Sequence, residues 1–98
     1  MTIASFDTLI HAPQRLQICA LLSATAETEF KVLRDHLGVS DSALSKHLRT
    51  LDEAEYVIVE KRAQAGRSRT WLSLSPKGRK AFAAHVTALR NIVGETPS

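Results

Sequence analysis

Ser40-Asp41-Ser42-Ala43-Leu44-Ser45-Lys46-His47-Leu48-Arg49-Thr50-Leu51-Asp52-Glu53-Ala54 reads as one helix with two unlike faces. Leu44, Leu48 and Leu51 fall at i, i+4, i+7 and form an apolar stripe. Ser42, Ser45, Lys46 and Arg49 lie off that stripe, short hydroxyls and long cations with no large apolar group among them. Such groups meet phosphates and base edges when a helix enters a DNA major groove. Taken alone, the stretch reads first as an ordinary amphipathic surface helix. Its neighbours change that reading.

Before it, Val32, Leu33 and Leu37 have helical spacing, Gly38 is placed to end a helix in the left-handed conformation, and Ser40 is placed to N-cap the next one. Two helices joined by a short glycine-containing turn make a helix-turn-helix, here about residues 31–54. After it, Tyr56 to Arg62 and Thr70 to Leu74 are β-rich runs around the polar connector Ala63–Arg69, which predicts a hairpin over about 56–74 with Arg67 and Arg69 at its tip. A helix-turn-helix followed at once by a basic hairpin is a winged helix.

The specific pieces are His11-Ala12-Pro13-Gln14-Arg15-Leu16-Gln17-Ile18, Leu44-Ser45-Lys46-His47-Leu48, Leu51-Asp52-Glu53-Ala54, Gly66-Arg67-Ser68-Arg69-Thr70-Trp71 and Leu74-Ser75-Pro76-Lys77-Gly78. In that order and spacing they resemble the small winged-helix transcriptional regulators of bacteria and archaea, close to the MarR and ArsR groups. The resemblance runs from about His11 to about Arg90. It implies a regulator that rests on dimer helices, with repression as the commonest habit. One departure is Glu55, where related sequences usually place glycine. A glutamate there would be strained in a left-handed conformation, so this helix is expected to end differently or to fray.

The 98 residues are read as one domain, mainly α with a small β-hairpin. Residues 1–12 hold Ile3, Phe6, Leu9 and Ile10 and suggest a short amphipathic helix. Pro13 suits the first position of the next helix, which carries Leu16, Ile18, Cys19, Leu21 and Leu22. Thr28-Glu29-Phe30 suits a short third strand. Ser75-Pro76 restart a helix over about 76–93, with Phe82, Val86, Leu89 and Val93 on one stripe and Ala81, Ala84, Ala88 and Ile92 on another. One stripe can cover the core. The other, with Ile3, Phe6 and Ile10, would expose apolar surface unless a second chain covers it. The expected dimer contacts are therefore Ile3, Phe6, Ile10, Ala81, Ala88 and Ile92.

Net charge is +3, unevenly spread. Glu60 to Lys80 holds seven Lys/Arg and one Glu, whereas Asp7 to Val59 holds five Lys/Arg and eight Asp/Glu. Beside a helix-turn-helix, the basic segment favours a polyanion partner over a merely solvated hairpin. Aromatic residues make up only 5%, which argues against stacking on single strands. No apolar run approaches a membrane span and no signal peptide is evident, so a cytoplasmic protein is expected.

Other chemistry is sparsely supported. The single Cys19 reads as a buried core thiol rather than a redox sensor. His11, His36, His47 and His85 form none of the paired spacings of metal-sensing regulators, so no metal or other cofactor is expected. His47 either faces a phosphate or packs at the edge of the core, and Trp71 reads as packing. No catalytic constellation appears, so no enzyme is expected. The DNA-contacting set is Ser42, Ala43, Ser45, Lys46 and Arg49 in the major groove, Arg67 and Arg69 on the wing, and Ser40 and Lys31 at the backbone near the ends of the turn. The partners are double-stranded DNA and a second copy, binding a pseudo-palindromic site. The alternatives are a winged-helix protein-interaction module, or a sensor of the same fold gated by a metal or a small-molecule effector. The chain is too short for an added ligand domain, which would put such an effector between helices or at the dimer interface.

Overall fold

The computed structural model describes residues 6–94. Three helix starts follow from capping chemistry. Asp7 caps α1 (Thr8–His11), its carboxylate accepting from the Leu9 and Ile10 backbone N–H groups. Ser40 caps α4 (Asp41–Glu53) by accepting from Ala43 N–H, and Ser75 caps α5 (Pro76–Ile92) by accepting from Gly78 N–H. Pro13 and Pro76 each open a helix in its first turn, where no N–H is needed. Between them lie α2 (Pro13–Ser23) and α3 (Phe30–Leu37), and Gly38 closes α3 at φ +67°.

The strands are β1 (Thr28–Glu29), β2 (Val57–Gln64) and β3 (Arg67–Leu74), antiparallel in the order β1-β3-β2. This is the winged-helix fold, with five helices and a three-stranded sheet among the described residues. The connector is shorter than the sequence suggested. The strands pair up to Gln64 and Arg67, and only Ala65 and Gly66, both at positive φ, make the turn. Arg67 is thus at the tip, but Arg69 lies within β3 opposite Arg62.

α2 is the central helix and packs on α1, α3, α4, α5 and β3. Its Ile18, Cys19 and Leu22 join Leu33, Leu44, Leu48 and Leu51 from the helix-turn-helix and Val57, Leu72 and Leu74 from the sheet. Each such large side chain, fully buried, contributes roughly 1.5–3 kcal/mol. Ile10 is also fully buried in this core. Among the described residues no helix is long and apolar enough to cross a membrane.

The junction after α4 overturns one expectation. Glu55 does adopt the left-handed conformation, at φ +64°. Its N–H donates to Asp52 O at 2.9 Å and Tyr56 N–H donates to Leu51 O at 2.9 Å, the paired bonds of a Schellman ending. The start of α5 fixes it from outside: Ser75 Oγ donates to Glu55 O at 2.6 Å, and Ser75 N–H donates to Tyr56 O at 3.0 Å. These long-range bonds offset the strain of a side chain at positive φ.

The proposed dimer contacts also need correction. Ile10 is 0% and Ala88 3% exposed within the single chain, so both are already covered and are not available to a second copy. Ala81 packs half-buried against the chain's own core. Ile92 is exposed at 50% and Phe6 is half-buried, and Ile3 lies outside the described residues.

Two substitutions test this junction in opposite directions. Glu55→Gly relieves a left-handed side chain and is expected to raise stability by about 1 kcal/mol. Gly78→Ala places a methyl 2.0 Å from Tyr56 O, a backbone atom that cannot step aside, and is expected to lower stability by about 1–3 kcal/mol. Urea denaturation of the three proteins gives both values.

Candidate nucleic-acid interface

On α4 the buried stripe is Leu44, Leu48 and Leu51. Ser42, Ser45, Lys46 and Arg49 are exposed on the remaining faces, and Ala43 is half-buried at the first turn. Ser40 Oγ accepts from Ala43 N–H at 3.1 Å and lies 3.3 Å from Ser42 Oγ, a pair in which either hydroxyl can donate. Lys31 is exposed near the start of α3 and lines a second groove with Arg67, Ser68 and Arg69. The structure therefore brings Lys31 to the wing rather than to α4.

A groove of about 470 Å³ separates α4 from the wing, lined by Ser45, Arg49, Leu48 and Asp52 on one side and Val59, Lys61 and Thr70 on the other, with Phe30 and Asp41. Lys61 was missing from the sequence-derived set. The signal that would have found it is strand alternation: residues 57, 59 and 61 share a face, Val57 is in the core, and Lys61 therefore points to the α4 side. By the same parity Arg67 and Arg69 share the face of Trp71, away from this groove.

Partners divide the cations into two groups. The side chains of Lys31, Lys46, Arg49, Lys61 and Arg67 form no hydrogen bond or ion pair with a described residue. Arg69 lies 3.4 Å from the Glu29 carboxylate. Arg62 grips both Glu27 oxygens, at 2.9 and 2.7 Å, contacts Glu60 as well, and sits over the Trp71 ring at 5.2 Å. Its guanidinium holds the Glu27 carboxyl below its ordinary range. Lys77 faces Glu55, and Arg79 donates to the Thr25 carbonyl at 3.1 Å beyond the end of α2. Much of the basic segment is thus offset by Glu27, Glu29 and Glu55, acids distant in sequence. Trp71 serves packing, as expected, although its buried Nε1 finds no hydrogen-bond acceptor among the described residues.

His47 faces inward. Its Nδ1 lies 3.3 Å from Arg15 Nη1, and Arg15 Nε also donates to Leu9 O at 2.6 Å, so this side of α4 faces α2, whose Arg15 also reaches α1. Burial, then the Arg15 and Lys46 charges, hold His47 below its ordinary pKa. Arg34 ties α3 to the start of α4 through Asp41 at 2.8 Å. Asp41 and Asp52 add carboxylates to the groove. Among the described residues no group of three or more His, Cys, Asp or Glu could hold a metal.

The chain matches the winged helix DNA-binding domain family over residues 14–93. An uncharacterised protein of Methanocaldococcus jannaschii is 35% identical over 72 residues, 74% of this chain and 78% of that protein. Among solved structures, a transcriptional regulator homologue from Pyrococcus horikoshii superposes with a TM-score of 0.83 at 22% identity, covering 88% of this chain and 85% of that one. NadR, solved in complex with 4-hydroxyphenylacetate, superposes at 0.73 and 21% identity, over 88% of this chain and 60% of its own.

Burial pushes the Cys19 thiol up to about 11, with Asp7 adding to the effect. A thiol reagent at pH 8 is therefore expected to label Cys19 slowly in the folded protein and readily in denaturant. Equal rates in the two states would contradict the buried placement.

Proposed function

We propose that this chain, which belongs to the winged helix DNA-binding domain family, is a sequence-specific DNA-binding transcriptional regulator, acting as a homodimer and most simply as a repressor. The observation that carries the reading is the arrangement of Arg49 on α4 across a groove from Lys61 on the wing, with Lys46 exposed on the same helix, none of the three side chains hydrogen-bonded or ion-paired to a described residue. α4 enters the major groove, where Ser42, Ala43, Ser45, Lys46 and Arg49 meet bases or phosphates. Lys61 and Arg67 neutralise flanking phosphates, and Ser40 and Lys31 hold the backbone. Arg69 joins them only by exchanging Glu29 for a phosphate.

A second copy pairs through the chain ends, with Ile92 and Phe6 as the described apolar residues left to it. Two-fold pairing matches a pseudo-palindromic operator with half-sites about one helical turn apart. The chain acts in the cytoplasm and catalyses no reaction. An effector belongs to the same proposal. NadR was solved with a small aromatic acid, and a comparable ligand here would lie between helices or between copies.

Titrating a fluorescent duplex from the chain's own upstream DNA at several salt concentrations tests the reading. Binding should weaken steeply with salt. No binding to any genomic duplex at low salt would favour a protein-docking module instead. Arg67→Ala should weaken all duplexes alike and lower the salt slope by about 1, while Arg69→Ala changes it less because Glu29 is released as well. Arg49→Ala should cost roughly 1–3 kcal/mol and relax the preference at one base pair. If Arg67→Ala alters the preferred sequence while Arg49→Ala does not, the groove assignment is wrong.

Ile92→Glu should yield monomers by sedimentation that bind a palindromic site much more weakly, because the second half-site is no longer tethered. A monomeric variant with unchanged affinity would sink the homodimer.

A further inference from the structure

His85 is fully buried, the polar residue at the centre of the inner face of α5, and DNA binding has no use for it. Both of its ring nitrogens are engaged. Asp7 N–H donates to Nδ1 at 3.0 Å, and Nε2 lies 3.3 Å from His11 Nδ1. A backbone N–H can only donate, which fixes the direction of the chain. His85 Nδ1 carries the lone pair, Nε2 carries the proton, and His11 Nδ1 accepts it. A proton added to His85 must enter Nδ1 and face the Asp7 N–H, donor against donor. A proton added to His11 Nδ1 faces the His85 Nε2–H in the same way. Neither ring can become a cation without breaking a bond.

Asp7 joins this chain to the rest of the fold. Oδ1 caps α1, and Oδ2 accepts from the Tyr56 hydroxyl at 2.6 Å. Phe6 closes the cluster, its ring centre 4.8 Å from His11 and 5.0 Å from His85. We propose that Asp7, His11 and His85 form a proton-released latch, which docks residues 6–11 onto α5 and Tyr56 only while both imidazoles are neutral.

The surroundings agree with that geometry. Burial, and then His11, lower the pKa of His85, while Asp7 opposes them. The Asp7 oxygens accept from the α1 amides and Tyr56, and it is the Asp7 backbone N–H rather than its carboxylate that meets His85 Nδ1. The Tyr56 hydroxyl is itself pushed up to about 12 by its bond to Asp7, and stays a donor throughout the range of histidine titration. On α2, Cys19 interacts electrostatically with Asp7 and Arg15, and Leu72 and Leu74 of β3 are buried and apolar. A histidine lowered in the docked state favours docking above the ordinary value of 6.5, and that preference is lost as pH falls below it. Its effect on pairing between copies rests on the homodimer reading above.

Amide hydrogen exchange between pH 8 and pH 5, corrected for intrinsic rates, tests the latch. The opening constant at the Asp7 and Ile10 amides should rise below about pH 6.5, by up to roughly tenfold per pH unit for one proton. The Leu48 amide should stay protected, marking local release rather than unfolding. His85→Asn keeps an acceptor oxygen near the Nδ1 position and cannot titrate, so the ratio of opening at pH 5 to that at pH 8 should fall to near one. Should the buried site not tolerate asparagine, exposed His11→Asn provides the second test. It keeps an acceptor for His85 Nε2–H, and should reduce the same ratio severalfold. A wild-type ratio near one, or a ratio unchanged by His11→Asn, overturns the latch. Sedimentation of the same samples separates the two proposals: release at pH 5 with unchanged association leaves the latch standing and removes pairing through these ends.

Discussion

Tyr56 is the point through which the parts of this molecule hold one another. Its N–H closes α4 on Leu51 O, and its carbonyl accepts from Ser75 N–H, where α5 begins. Its hydroxyl reaches Asp7 at the cap of α1. Gly78 passes so close that no side chain fits between α5 and the Tyr56 carbonyl. α4, the wing, α5 and the N-terminal segment therefore leave one residue in four fixed directions. The strained Glu55 immediately before it is acceptable because so many bonds over-determine its backbone. Without that node, α4 and the wing could each form and still stand at the wrong angle to each other.

The electrostatics of the basic half follow from the same closeness of distant segments. Glu27 and Glu29 come from the connector between α2 and α3, yet they reach Arg62 and Arg69 in the wing. Exposed pairs of this kind add little to stability. Their effect is on where positive potential remains: at Lys61 beside the groove, at Arg67 on the tip, and at Lys46 and Arg49 on α4. A polyanion therefore meets a shaped pattern of charge rather than a uniformly basic hairpin.

Local chemistry made most of the fold legible. Gly38, Ser40, Pro13 and Ser75-Pro76 act on neighbouring backbone groups, so their effect is visible in the order of residues alone. The apolar stripe of α4 was readable for the same reason. What stayed hidden depended on partners far along the chain. Glu55 accepts its conformation through Ser75, twenty residues on. His85 is buried on a face read only for its apolar members, because its two partners lie at Asp7 and His11. Ile10 looked like surface for a second chain because nothing local showed that α2 and the rest of the core would cover it. Arg69 was taken for a tip residue because its place depends on where the hairpin turns, and the turn proved to be two residues long, whereas the facing of Lys61 was already implied by its even spacing from Val57 in one strand.

That turn sets a rule of parity for the wing. Alternate residues face opposite sides, so Lys61 views α4 while Arg67 views the far side only because Ala65 and Gly66 alone are unpaired. Lengthening both strands by two residues each would carry the tip outward by about two strand steps, roughly 7 Å, with every facing preserved. Inserting a single residue in β3 between Arg67 and Leu72, without a bulge to absorb it, would transfer the tip arginine to the opposite side and change which part of a duplex it meets. The wing's reach is open to variation across descendants of this fold, in even steps, while its handedness of contact is not.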